Sequence, residues 1–186
     1  MPSAGFIADT PRPGPLGTDL VGLLADQHRS VRAYQRLIAL GPEGATQARR
    51  GLRHPNAQVR EYCCNVLDRL MDAASIPALI LALHDPADGV RVAAAHALSC
   101  DRCKSDSCRP AARDVLPPAI AMLASDPSAR VRAYAAELVG RWVHSEPAAR
   151  EAVERAAAQD PSPAVRKKAS WYAPGGPIYR RTRPRH

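Results

Sequence analysis

Aromatic residues are scarce in this 186-residue chain, at 4% of the sequence: one Phe, two Trp and five Tyr. A core with so few rings must be closed by small aliphatic side chains, and Ala, Leu, Val and Ile let helices approach closely. No apolar run comes near the roughly 18 residues that a membrane-spanning helix requires. One such run, Ile76 to Leu83, has the length of a buried helix. The N-terminus lacks a basic region followed by an apolar block, so no secretory leader is expected. A cytoplasmic chain with reduced thiols is the corresponding expectation. Acidic residues are missing after Asp160, where seven cations follow: Arg166, Lys167, Lys168, Arg180, Arg181, Arg183 and Arg185. The other 19 Lys and Arg face 18 Asp and Glu, so the net charge of +8 belongs to the C-terminal end.

What the chain does contain is a repeat, and a period of 20–50 residues decides an architecture. The pattern Asp/His-Pro-x-x-x-Val-Arg occurs at His54-Pro55 with Val59-Arg60, and at Asp85-Pro86 with Val90-Arg91. It returns at Asp126-Pro127 with Val131-Arg132, and at Asp160-Pro161 with Val165-Arg166. The Val positions lie 31, 41 and 34 residues apart, and Val31-Arg32-Ala33-Tyr34 is a weaker first copy. Pro suits the first turn of a helix, and Asp before it can cap the unpaired N–H groups there. Each Val opens an apolar stripe, continued in one copy by Ala94, Ala95, Ala97 and Leu98 and in the next by Ala135, Ala136, Leu138 and Val139. That spacing is one face of a helix. A preceding helix carries its own stripe, as in Ile76, Leu79, Ile80 and Leu83, so each unit is a hairpin that must stack on its neighbours to bury both faces. Cys63 and Cys64 fall where other copies place Ala pairs and are expected to be buried and inert.

These residues resemble the HEAT-repeat family, and within it the short HEAT-like repeat of phycobilisome lyases, over roughly Ser30 to Tyr172. The resemblance implies an all-α, short α-solenoid of stacked helical hairpins, HEAT/armadillo-like in character. It also implies that Asp and Arg pair between adjacent units, which makes Arg60, Arg91, Arg132 and Arg166 rungs of a structural ladder. Activity is not implied, because the family holds scaffolds, transport receptors, lyases, a hydroxylase and DNA glycosylases. Three regions follow: a disordered Pro-rich 1–17, a solenoid over 18–173, and a basic tail over 174–186. Thr18 is a candidate cap for a first helix through Asp26.

The long interval between Val90 and Val131 holds a Cys-rich insertion at 99–110. Cys100, Cys103 and Cys108 lie in it, and His96 precedes Cys100 by one helical turn, on the same face. A Cys3His set suits structural zinc, which would order a polar loop that has no apolar residues to hold it. A redox Cys pair, an iron–sulfur cluster and a simply solvated His96 are the competing readings.

Three functions compete. A scaffold would take a protein partner on its second helices, with Arg69, Glu137, Arg141 and Trp142 as candidate contacts. Nucleic acid, RNA in particular, would be met by Lys167, Lys168, Arg180, Arg181, Arg183 and Arg185, since Arg-rich segments neutralise phosphates. Catalysis as a HEAT-like lyase or DNA glycosylase is the least favoured alternative: no phosphate loop, nucleophile elbow or paired-carboxylate motif is present, and no His is followed by Glu. The expectation is therefore a non-catalytic adaptor.

Overall fold

The computed structural model describes residues 19–99 and 109–184. The repeat is realised as helices throughout: α1 (Ser30–Ala39), α2 (Pro42–Gly51), α3 (Ala57–Arg69), α4 (Ile76–Ala82), α5 (Asp88–Ser99), α6 (Ala112–Ser125), α7 (Ala129–Val139), α8 (Pro147–Gln159), α9 (Pro163–Ser170) and α10 (Pro177–Thr182). Four hairpins result, α2/α3, α4/α5, α6/α7 and α8/α9, and among the described residues there is no strand. Val59, Val90, Val131 and Val165 are buried at the start of the four second helices, as their stripe requires. Cys63 and Cys64 are fully buried in the places of Ala94-Ala95 and Ala135-Ala136. Burial pushes the Cys63 thiol up to about 12 and raises Cys64 as well, so neither supplies a thiolate near neutral pH.

The turn before each second helix corrects the expected role of Asp and Pro. Pro86 and Pro127 lie two residues before their helices, not in the first turn. Asp85, Asp126 and Asp160 each accept the N–H two residues on, at 2.8–2.9 Å, and so build the turn. Capping proper falls to Asn56, which accepts from the Gln58 N–H, and to Ser128, which accepts from the Val131 N–H. The second job of Asp is the ladder. Arg60 grips both oxygens of Asp85 at 2.7 and 2.8 Å. Arg91 does the same to Asp126 at 2.7 and 3.0 Å, and Arg132 to Asp160 at 2.8 and 3.0 Å. Each Arg also donates through Nη1 to the two carbonyls of its own turn, as Arg132 does to Asp126 and Pro127. Among the described residues Arg166 makes only these local bonds, to Asp160 and Pro161.

The ladder gives the fold an acid limit. The Arg132 hydrogen bonds hold the Asp160 carboxyl below its ordinary value, with the Ser162 N–H adding to this. At Asp85 burial pushes upward, but Arg60 and the Ala87 N–H outweigh it and the net shift is also downward. A carboxylate depressed in the folded state stabilises it at every pH above the unfolded value of about 4, and that contribution is lost as pH falls through the folded value. Thermal midpoints should therefore be flat from about pH 5 to 7 and fall steeply below about pH 4. A midpoint that rises on acidification would contradict the ladder.

Packing curves the stack. The second helices α3, α5, α7 and α9 pack each against the next, whereas α2, α4, α6 and α8 touch one another far less and fan apart. The second helices therefore line the inner face. At the N-terminal end a short 3-10 turn, Gly22–Ala25, precedes α1, and Thr18 lies outside the described residues. The weak first copy is rotated. Asp26 binds Arg29 in its own turn instead of reaching a neighbour, α1 starts at Ser30, and its buried positions are Ser30, Ala33 and Leu37. Val31, inward in the other copies, is 58% exposed here.

At the C-terminal end the basic segment after Pro174 is partly helical. Helix α10 folds back so that the N–H groups of Ile178 and Tyr179 both reach the Trp171 carbonyl at 3.0 Å. His144 Nε2 lies 3.1 Å from both Tyr179 O and Thr182 Oγ1, and the two rings are 4.3 Å apart.

Candidate functional site

The inner face carries a strip of half-buried side chains in a fixed register. One slot, three residues after the helix's first stripe turn, is filled by Tyr62, Ala93, Tyr134 and Lys168. A second, three residues later, is filled by Asn65, His96, Glu137 and Trp171. The second slot of one helix meets the first slot of the next. His96 on α5 meets Tyr134 on α7 edge-on, with ring centroids 6.1 Å apart. Glu137 on α7 meets Lys168 on α9, with Oε2 to Nζ at 2.7 Å, and the same ammonium lies 5.2 Å from the Trp171 ring centre. The strip continues onto α1 through Tyr34, whose ring is 6.1 Å from that of Tyr62, and Tyr62 Oη donates to Ser30 Oγ at 3.3 Å. Four of the eight aromatic residues of a ring-poor chain thus line one face. Amphipathic rings on a rigid helical face, flanked by charge, are the composition of protein-interaction hot spots.

The expected partner contacts do not all lie on this strip. Glu137 does, paired with Lys168. Arg141 lies in the 3-10 turn Gly140–Trp142 and donates to the Leu98 and Ser99 carbonyls, the last of α5. A guanidinium there meets the unpaired carbonyls of a helix end, where cations are favoured. Trp142 packs half-buried against the core with the Arg141 guanidinium 5.7 Å from its ring centre. Arg69 is exposed in the last turn of α3. Tyr62, Tyr134 and Trp171, not singled out as partner contacts from the sequence, supply most of the strip's apolar area. The signal was available in the shared register of positions 65, 96, 137 and 171 with the slot three residues before it.

Of the expected metal ligands, Cys100, Cys103 and Cys108 lie outside the described residues. His96 is on the strip, with Nε2 3.9 Å from Asp68 Oδ2. Asp68 is buried near the end of α3, and its Oδ1 has no hydrogen-bond partner among the described residues. A buried carboxylate oxygen left unpaired is costly. Among the described residues no group of three His, Cys, Asp or Glu side chains converges.

The expected nucleic-acid contacts are divided. Lys168 is engaged by Glu137, while Lys167 is exposed on α9. Arg180 and Arg181 are exposed on α10, Arg183 follows it, and Arg185 lies outside the described residues. No described helix is long and apolar enough to cross a membrane.

A curved stack of helical hairpins, clamped by an Arg–Asp ladder and lined inside by a ring-bearing strip, defines an α-solenoid. The model of the HEAT repeats matches residues 45–119 and 116–173, and the chain belongs to that family. Among solved structures the chain is similar to one in the complex of CpcE and CpcF of phycocyanin lyase from Nostoc sp. PCC7120. The two are 20% identical, with a TM-score of 0.68 over 82% of this chain and 95% of that chain. No curated protein matches the sequence. The structural likeness corrects the expectation that the chain is no enzyme. A fold of this kind, over nearly the full length of the neighbour, belongs to a lyase complex, so missing catalytic motifs do not exclude catalysis.

Proposed function

We propose that the chain works by holding a protein partner against the inner strip, with Tyr62, Tyr134, Glu137, Lys168 and Trp171 as the central contacts. The observation that carries this reading is the concentration of half the chain's rings on one face, in register with the His96 and Glu137 slot. HEAT solenoids present extended inner surfaces of this kind to polypeptides. The double substitution Tyr134→Ala/Trp171→Ala, at half-buried positions, is the direct test. Native and variant chains are used as bait in lysate of the source cells, and recovered proteins are quantified. A true partner falls at least about tenfold with the variant, the loss of two aromatic hot spots being worth more than about 1.4 kcal/mol. Equal recovery of every protein by both baits would refute the strip as the contact.

The likeness to a phycocyanin lyase chain favours a second reading, in which the partner is a chromophore-bearing protein and the chain is one subunit of a lyase. The same two baits decide this when mixed with purified phycocyanin: co-elution on gel filtration with an altered visible absorbance supports it. Separate elution with unchanged absorbance removes it and leaves the first reading standing.

A further inference from the structure

The first helices fan apart, and between α2 and α4 this leaves an open groove of about 440 Å³ on the side of the stack away from the strip. Its floor is aliphatic: Leu52, Ala78, Leu81 and Ala82. Its rim is basic: Arg49, Arg50 and Arg53. Leu81 is 74% exposed, an unusual state for a large apolar side chain in this fold. It stands four residues before Asp85; the residues four before Asp126 and Asp160 are Met122 and Ala156, and both are buried. At the same register in the first hairpin, four residues before His54, stands Arg50. An apolar position that the other hairpins cover is therefore open here, with a cation facing it.

The charges of the groove are not balanced from within. Arg49 binds Asp72 at 2.7 Å, and both oxygens of Asp85 are taken by Arg60. The exposed guanidinium groups of Arg50 and Arg53 make no hydrogen bond or ion pair with any described residue. We infer that this groove docks an acidic peptide segment bearing an aliphatic side chain, whose carboxylates meet Arg50 and Arg53 while the aliphatic group covers Leu81. A volume of this size matches a small ligand site or a few peptide side chains. Nucleic acid is the poorer match, because single strands are held by rings that stack on bases and this floor has none.

The probe is the labelled heptapeptide Asp-Glu-Asp-Leu-Glu-Asp-Glu, titrated with the full chain by fluorescence anisotropy. Controls are the same peptide with Ser for Leu and one with Asn and Gln for the acids. Saturable binding is expected, weakening as salt rises from about 50 to 300 mM as screened ion pairs do. Arg50→Glu/Arg53→Glu should weaken it at least about tenfold, and Arg50→Gln/Arg53→Gln by less, because reversal adds repulsion to lost attraction. Leu81→Ser should lower the affinity of the Leu peptide to that of the Ser peptide. Tyr134→Ala/Trp171→Ala should change nothing, which separates this site from the strip. Arg50, Arg53 and Leu81 are exposed, and unchanged circular dichroism shows all the variants folded. Absence of binding at about 1 mM peptide, the weak end of measurable affinity, overturns the inference. So does equal affinity of native and charge-reversed chains, or displacement of the peptide by a single-stranded RNA at lower concentration.

Discussion

Replacing Asp160 by Ala should cost the protein about 3–4 kcal/mol of stability, the range for removing one partner of a buried ion pair. The carboxylate accepts two hydrogen bonds from Arg132 and one from the Ser162 N–H, and all three go with it. Arg132 stays where it is, held by the Asp126 and Pro127 carbonyls, with a side chain only 10% exposed and its bidentate carboxylate gone. The loss comes mainly from that stranded guanidinium. Two contrasts sharpen the result. Asp72→Ala breaks a pair whose side chains are 23% and 42% exposed, and should cost about 1 kcal/mol or less. Arg132→Met with Asp160→Leu removes both charges and should recover much of the loss, as apolar replacement of a buried pair often does. Urea unfolding at pH 7 measures all three. A loss below about 1 kcal/mol for Asp160→Ala would mean the rungs are ornaments on a stack held by its apolar faces alone. In acid the difference from native should shrink, because the depressed carboxylate is protonated in both states.

Gly140→Ala should destabilise the chain by about 2–3 kcal/mol, the cost of overpacking a tight contact. The sign is the informative part. Ala in place of Gly in a helical turn usually gains about 1 kcal/mol. Here an added Cβ would strike the ring of Tyr172, which is buried against the turn that joins α7 to α8. The ring has nowhere to retreat, since the neighbouring Trp171 carbonyl anchors α10. Thermal unfolding of Gly140→Ala alone and combined with Tyr172→Leu tests the contact. The second change should make the first nearly neutral. A stabilised single variant would show that the ring moves aside.

The core of this fold was legible in the sequence because it is periodic. The Val-Arg pairs located the second helices, and the Cys63-Cys64 and Ala94-Ala95 alignment gave the small residues that let α3 and α5 meet. The Asp–Arg pairing came through the family resemblance and took the form of bidentate rungs. What escaped was the part that one unit does not share with the next. Val31 matches the repeat in letters, but Asp26 spends its carboxylate on Arg29, and the helix starts rotated. Arg141 and Trp142 stand out in composition, yet a helix end one hairpin away claims the Arg. The strip was missed because its slots hold Tyr, Ala and Lys in one row and Asn, His, Glu and Trp in the other. Their common position, not their chemistry, brings them together on one face. Leu81 belongs to an apolar run that reads as wholly inward, and only the divergence of α2 from α4 leaves it open.

Each rung of the ladder joins two hairpins without using the peptide chain between them, and this has a consequence for the stretch between Ser99 and Arg109. Across that interval Arg91 reaches Asp126, and α5 packs along α7, so the halves on either side are fastened by side chains. The contacts between these two halves are thus made by side chains and helix faces that lie outside that stretch. Two polypeptides, one ending at Ser99 and one starting at Arg109, would carry complementary surfaces and reassociate as a split protein.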